Sequence, residues 1–257
     1  MKAFTVFALE GIPLVETGDD LAKTILGAMK KEGLRIENGD VLVVAQKIFS
    51  KAEGRIVDVN KIAPSDRALE ISKTTGKDPR FVEIVLRESK KIIKSSEDIL
   101  LVEDNRGLVC INSGIDKSNI EGRDRFGLLP EDPDRSAEKL RSDINNLTGK
   151  QVAVIMCDTY SRPFRRGQVN FAIGIAGINP FRDYRGKKDL FGQVLRVKNI
   201  AVADEIAAAA ELLMGQGEEG LPVVIFRGMS NLTVDCDKCC TKQLLISADE
   251  DLFKNAL

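Results

Sequence analysis

An aspartate and a threonine stand side by side where an apolar run ends. Val152 to Met156 is followed by Cys157-Asp158-Thr159-Tyr160-Ser161-Arg162-Pro163-Phe164-Arg165-Arg166-Gly167-Gln168. A buried strand that stops in an acid and a hydroxyl offers hard oxygen ligands of the kind that suit Mg²⁺ or Mn²⁺. The arginines that follow can grip phosphate or carboxylate with paired hydrogen bonds. One reading is metal-assisted phosphate chemistry on an anionic substrate. The other is a strand end, a turn and a solvated basic loop.

Four more segments carry similar choices. Asp116, within 112–122, follows a strand and offers a second carboxylate to pair with Asp158, since divalent ions are caged by oxygens from separate segments; an Asx-type turn is the plain alternative. Lys47 and Lys51 follow the apolar run 40–46, where they serve as point charges for phosphate or lie in a solvated loop that runs on to Arg55. The turn Gly11-Ile12-Pro13-Leu14 lets backbone approach a ligand or is an ordinary turn. Gly215 reads first as a helix C-cap. The loop 213–222 sits at the negative end of a helix dipole and should face a cation or a base edge. No GxxxxGK[ST] occurs, so this is no P-loop.

The chain has no histidine. Ser-His-Asp and Cys-His mechanisms and His-ligated zinc are thereby excluded. Proton transfer falls to Asp, Glu, Lys, Tyr or metal-bound water. A net charge of −1 gives no basic field for nucleic acid, and the absence of tryptophan leaves few stacking platforms. The five cysteines are odd in number and suit no disulfide framework, which predicts a reducing cytoplasm. Cys236-x-x-Cys239-Cys240 lacks a fourth soft ligand and reads as incidental thiols, while Cys110 and Cys157 read as core. The N-terminal run reads as a first strand and not a signal peptide. No window offers the roughly 20 apolar residues of a bilayer span.

The elements that must position these residues follow from periodicity. Strands are expected at 5–9, 40–46, 99–103, 108–112, 152–156 and 222–226, with 104–107 as a hairpin turn. Helices are expected at 19–31, 65–73, 78–92, 134–147 and 202–214. With 257 residues a core is not limiting, since chains of this size bury roughly 70–75% of their unfolded surface. Helix and strand intermix without βαβ regularity, so the expected class is α+β. No repeat or linker divides 1–257, and 229–257 is polar and weakly patterned.

Read in order, the motifs Gly11–Leu14, SKAEGR at 50–55, NSGIDKSN at 112–119, LLPEDPDRSA at 128–137, DTYSRPFRRG at 158–167, AIGIAG at 172–177, KDLFG at 188–192 and the run 203–217 resemble those of the coenzyme F420-0:L-glutamate ligase (F420:gamma-glutamyl ligase) family. The resemblance covers about residues 5–228. It implies a single ligase module of two intertwined α+β lobes with mixed sheets and packed helices, forming a homodimer. It implies a cytoplasmic enzyme that uses GTP, L-glutamate and a deazaflavin coenzyme, with Mg²⁺ or Mn²⁺ and with K⁺ as a further candidate ion, and that takes no nucleic acid or membrane as partner. Metal positions implied are Asp116, Asp158, Thr159 and Gln216. Nucleotide positions implied are Gly11, Ile12, Pro13, Leu14, Gln46, Lys47, Lys51, Asn119, Met214, Gly215, Gln216, Gly217, Glu218, Glu219, Gly220 and Leu221. Lys51, Arg162 and Arg165 would assist Asp158 in catalysis.

Two departures stand out. Gln216 occupies a position where some members carry glutamate, and a neutral amide is a weaker ligand for a hard cation. Ser161 replaces a frequent glycine. Both leave open a ligase for another carboxylate acceptor. A nucleotide-binding regulatory module is the non-enzymatic alternative.

Overall fold

Three unbroken apolar stretches, Val41–Ala45, 153–157 and 223–226, form the buried centre of a five-stranded sheet. Strands covered on both faces need no polar alternation, which is why these runs are continuous. The computed structural model describes residues 3–234, 239–247 and 249–251. In chain order its elements are β1 (Thr5–Ala8), α1 (Leu21–Lys31), β2 (Val41–Ala45), α2 (Gln46–Ala52), β3 (Ile56–Asp58), α3 (Asp66–Thr75), α4 (Pro79–Arg87), β4 (Ser89–Ser96), β5 (Ile99–Asp104), β6 (Val109–Ile111), β7 (Arg125–Gly127), α5 (Pro133–Thr148), β8 (Ala153–Arg162), β9 (Arg165–Ala176), β10 (Arg182–Asp183), β11 (Asn199–Ile200), α6 (Val202–Met214) and β12 (Val223–Arg227). The class is α+β. Among the described residues no helix is long and apolar enough to cross a membrane.

The chain divides into two units. The first comprises Met1–Ala52 and Glu131–Leu244. Its sheet has the order β1-β12-β2-β8-β9, with β2 and β8 parallel and the other pairs antiparallel. α6 covers one face through Val202, Ala203, Ile206, Ala207 and Ala210, which pack on Val43, Ile155 and Val224. α5 packs against β8 and β9. It starts at Pro133 behind Asp132, whose side chain accepts from Arg135 N, and it ends at Gly149 in the left-handed region. A Cβ at Gly174 would collide with the Pro133 carbonyl, so β9 meets this helix start closely because glycine stands there.

The second unit comprises Glu53–Pro130 and Leu245–Leu257. β4-β5-β6 form an antiparallel sheet and β3-β7 a separate pair. Val82, Ile84 and Val85 of α4 pack with Leu100 and Val102 of β5 and with Ala68 and Ile115. Arg55 bridges to Glu88 at 2.8 Å and donates from Nε to Leu129 O at 3.0 Å.

Four expectations need correction. The helix expected over 78–92 stops at Arg87, and Ser89–Ser96 is strand β4. Past Arg87 the Lys-Lys-Ile-Ile-Lys stretch at 90–94 satisfies its backbone against β5 instead. The stretch after β2, read as a strand end with lysines as point charges for phosphate or as a solvated loop, is helix α2, which begins at Gln46 with no breaker between strand and helix. The strand expected to end at Met156 continues to Arg162, because β9 pairs with all of it. The 104–107 hairpin turn is present, closed by Gly107 N to Asp104 O at 3.0 Å. Cys110 and Cys157 are buried free thiols as expected, and Cys240 is free. Cys239 is disulfide-bonded, which corrects the reading of incidental thiols there: a missing fourth ligand argues against metal and not against oxidation. Cys236 lies outside the described residues.

Candidate active site

The β8–β9 hairpin carries most of the residues singled out above. Asp158 pairs with Phe171, Thr159 with Asn170, Ser161 with Gln168 and Arg162 with Arg165. Pro163 and Phe164 make the tip, where Phe164 has φ +60° and is 87% exposed. The arginines therefore flank a projecting turn. Arg162 Nη2 donates to Arg166 O at 3.2 Å, and its Nε is buried without a partner among the described residues. Arg165 is exposed.

Strand alternation divides Asp158 from Thr159. Ala153, Ile155 and Cys157 belong to the cluster under α6, so Thr159 continues that face and Asp158 falls on the other. On the α6 face the Thr159 hydroxyl donates to Asn170 Oδ1 at 2.8 Å and accepts from Gln216 Nε2 at 2.7 Å. Gln216 Nε2 also donates to Glu211 Oε1 at 2.8 Å. Buried Asn170 donates onward to Cys157 Sγ at 3.4 Å. Burial, with Asp158 and Glu211 adding to it, pushes the Cys157 thiol well above its usual range, so it stays protonated and inert.

Gly215 ends α6, as its sequence position predicts, with N–H to Glu211 O at 3.1 Å. Its φ of +64° and ψ of 178° are open only to glycine, and a Cβ there would collide with the Glu219 carboxylate. Glu219 also accepts from Gly217 N at 2.7 Å. The loop after Met214 is thus folded around one acidic side chain, with Gln216, Gly217, Glu218, Glu219 and Gly220 exposed and Leu221 half-buried.

Elsewhere in this unit, Lys47 and Lys51 lie four residues apart on α2 and so share a helix face. Gln46 is buried, and its Oε1 accepts from Ser50 Oγ at 2.7 Å, so that oxygen serves the helix. Gly11, Ile12, Pro13 and Leu14 follow β1 outside any regular element, with Gly11 at φ +66° and Leu14 88% exposed. Asp116 and Asn119 belong to the other unit. The Asp116 carboxylate accepts from Ser118 N and Ser118 Oγ, both at 2.8 Å, which is the Asx-type turn that the sequence also allows. Asn119 has φ +56°.

The structure therefore brings Thr159 and Gln216 together and sets Lys47 beside Lys51. It also shows two residues that sequence reasoning missed, Glu211 and Asn170. Glu211 is the only charged residue after Glu205 in α6, and that isolation at the end of an alanine-rich helix was the available signal.

The donor set around Thr159 suits a hard cation. Thr159 Oγ1 and the Glu211 carboxylate supply oxygens, Gln216 faces both with its Nε2, and Glu211 Oε2 is buried with no hydrogen-bond partner among the described residues. No three His, Cys, Asp or Glu side chains gather to hold a metal among the described residues. Mg²⁺ sites often use one or two carboxylates and complete the shell with substrate phosphate and water.

A sequence profile of the family described as F420-0:Gamma-glutamyl ligase matches residues 11–228. The chain is 47% identical to the Coenzyme F420:L-glutamate ligase of Methanothermobacter thermautotrophicus over 227 residues, 87% of this chain and 88% of the relative. It is 46% identical to the protein of the same name from Archaeoglobus fulgidus over 252 residues, 98% of this chain and 97% of the relative. It is 46% identical to that of Methanocaldococcus jannaschii over 220 residues, 86% of each. From the Gly-Ile-Pro-Leu turn to the end of β12, the chain belongs to the F420-0:gamma-glutamyl ligase family.

Proposed function

We propose that the protein is a GTP-dependent ligase that joins L-glutamate to the terminal carboxylate of coenzyme F420-0 and extends it by a γ-glutamyl link. The observation that carries this is likeness to named Coenzyme F420:L-glutamate ligases along nearly the whole chain. The chemistry fits a chain without histidine, because no enzyme nucleophile is required. A carboxylate and an amine do not condense unaided in water. The acceptor carboxylate attacks the γ-phosphorus, the bond to the β-phosphate oxygen breaks, and GDP leaves. The glutamate amine then attacks the acyl phosphate carbon, a C–N bond forms, phosphate departs and the amine loses its proton. A divalent cation, when bound, supplies neutralisation of phosphoryl charge and alignment of the in-line transfer.

In this reading the cation-side residues are Thr159 and Gln216 on one face of β8, Asp158 on the other, and, in the second unit, Asp116. Lys47 and Lys51, paired on one face of α2, attract the phosphates, and Arg162 and Arg165 offer planar donors to an anionic acceptor. The loop Met214–Leu221, with Gly11–Leu14, Gln46 and Asn119, holds the nucleotide. A cytoplasmic homodimer belongs to the same reading, and light scattering on the purified protein measures the assembly state.

The test is one incubation with GTP, Mn²⁺, L-glutamate and the glutamate-free deazaflavin coenzyme, read by mass spectrometry. The expected product is heavier by one or two glutamyl units, with matching release of GDP and phosphate. An unchanged acceptor with folded protein overturns the reading. ATP in place of GTP tests the nucleobase, and a panel of other carboxylates tests the acceptor.

A further inference from the structure

The Glu211 carboxylate is held by one oxygen only. Oε1 accepts from Gln216 Nε2 at 2.8 Å, while Oε2 is buried with no partner among the described residues. No ammonium or guanidinium group among the described residues pairs with it. Beside it, the Thr159 hydroxyl gives its proton to Asn170 Oδ1 and takes one from Gln216 Nε2, which leaves a single lone pair on Oγ1. Two acceptor oxygens are therefore fixed at one spot by one amide. A buried carboxylate oxygen with no donor is costly, and a hard cation relieves that cost. Alternation keeps Asp158 off this face, so Asp158 does not supply the charge here.

We propose that Glu211 is a divalent-cation ligand on the α6 face, acting with Thr159, and that Gln216 orients both oxygens. It supplies in this chain the negative charge that the neutral Gln216 cannot. The proposal rests on the ligase reading only for the use of a divalent cation.

The test is Mn²⁺ binding to the full protein, with and without GDP, followed by electron paramagnetic resonance of free and bound ion. Glu211→Gln is expected to weaken binding about 10–100-fold at one site. Glu211→Asp, which keeps the charge and shortens the reach, is expected to fall between that variant and the natural chain. The swap Glu211→Gln with Gln216→Glu moves the carboxylate across the hydrogen bond and is expected to recover binding to within a few-fold. Unaltered Mn²⁺ affinity in folded Glu211→Gln overturns the proposal, and the ligase reading then stands or falls on product formation alone. If Glu211→Gln does not fold, unaltered affinity in Glu211→Asp together with no recovery in the swap overturns it equally. No Mn²⁺ binding by the natural chain, even with GDP, overturns the proposal together with the cation use that it shares with the ligase reading.

Discussion

The Gln216 amide donates to the Thr159 hydroxyl at 2.7 Å, joining the loop after α6 to the middle of β8 across 57 positions of sequence. The same hydroxyl donates to Asn170, which is 1% exposed. Replacing Thr159 by valine keeps the shape and removes both bonds. Leaving a buried acceptor unpaired should cost about 1–3 kcal/mol in urea unfolding. Thr159→Ser keeps the hydroxyl and should recover most of that, and glutamyl transfer should rank natural chain, serine, valine.

Asp158 is partly buried near the end of the apolar run and takes no place in the α6 core cluster. Asp158→Asn should therefore unfold within about 1 kcal/mol of the natural chain. Product formation should drop by at least about two orders of magnitude. Full activity in that variant would remove Asp158 from the phosphoryl-transfer site.

Gly215→Ala places a Cβ where only glycine's backbone is allowed and against the Glu219 carboxylate. Strain of about 1–3 kcal/mol is expected. GTP affinity should fall more than global stability, because the loop can shift locally. Removing Glu219 as well takes away the collision but not the backbone strain, so Gly215→Ala with Glu219→Ala should recover stability only in part.

Asp204 lies in the first turn of α6, and burial raises its pKa above the ordinary 3.8 despite a 3.0 Å bond from Ala172 N. A carboxyl whose folded pKa is raised binds its proton more tightly when folded. Its contribution is fully present below pH 3.8 and is lost as pH rises through the folded value. Asn in its place can still accept from Ala172 and does not ionise. The stability of the natural chain minus that of Asp204→Asn should therefore fall as pH rises from 3.8, with a slope of at most about 1.4 kcal/mol for each step of one in pH, and level off above the folded pKa. Urea titrations at stepped pH measure this, and a flat difference would contradict it.

In the second unit, Arg55 and Glu88 are each under a fifth exposed and meet at 2.8 Å. Arg55→Ala should destabilise by about 2–3 kcal/mol, since a charged hydrogen bond is lost and Leu129 O loses its donor. Salt should change that loss little, because the pair is shielded.

The parts of the fold that were legible in sequence are those whose pattern is local. Asp132, Pro133 and Gly149 bracket α5, and Val41–Ala45 and 223–226 are short, continuous, valine-rich runs that read as buried strand. β9 and the outer half of β8 were not legible, because Asp158 to Arg162 and Arg165 to Gln168 are polar on both faces and the pairing that orders them is with each other. α4 was overextended because Ile92 continues a helical spacing by coincidence. In the candidate site the residue types were readable, but the facing of Asp158 and Thr159 depends on where the strand ends, and Glu211 looks like a solvated helix charge until Gln216 folds back onto it.

The register Thr5↔Arg227 puts the first strand among the described residues beside the last. β12 lies between β1 and β2, so during synthesis the strand at Thr5–Ala8 has no neighbour until more than two hundred further residues have been made. Such a long closure raises contact order and slows this step. Residues 53–130, by contrast, can pair as they emerge. Pulse-labelled hydrogen exchange during refolding should show β4 and β5 protected before β1. A ribosome-bound chain lacking β12 should leave the Val41–Ala45 edge of β2 unpaired and open to chaperones.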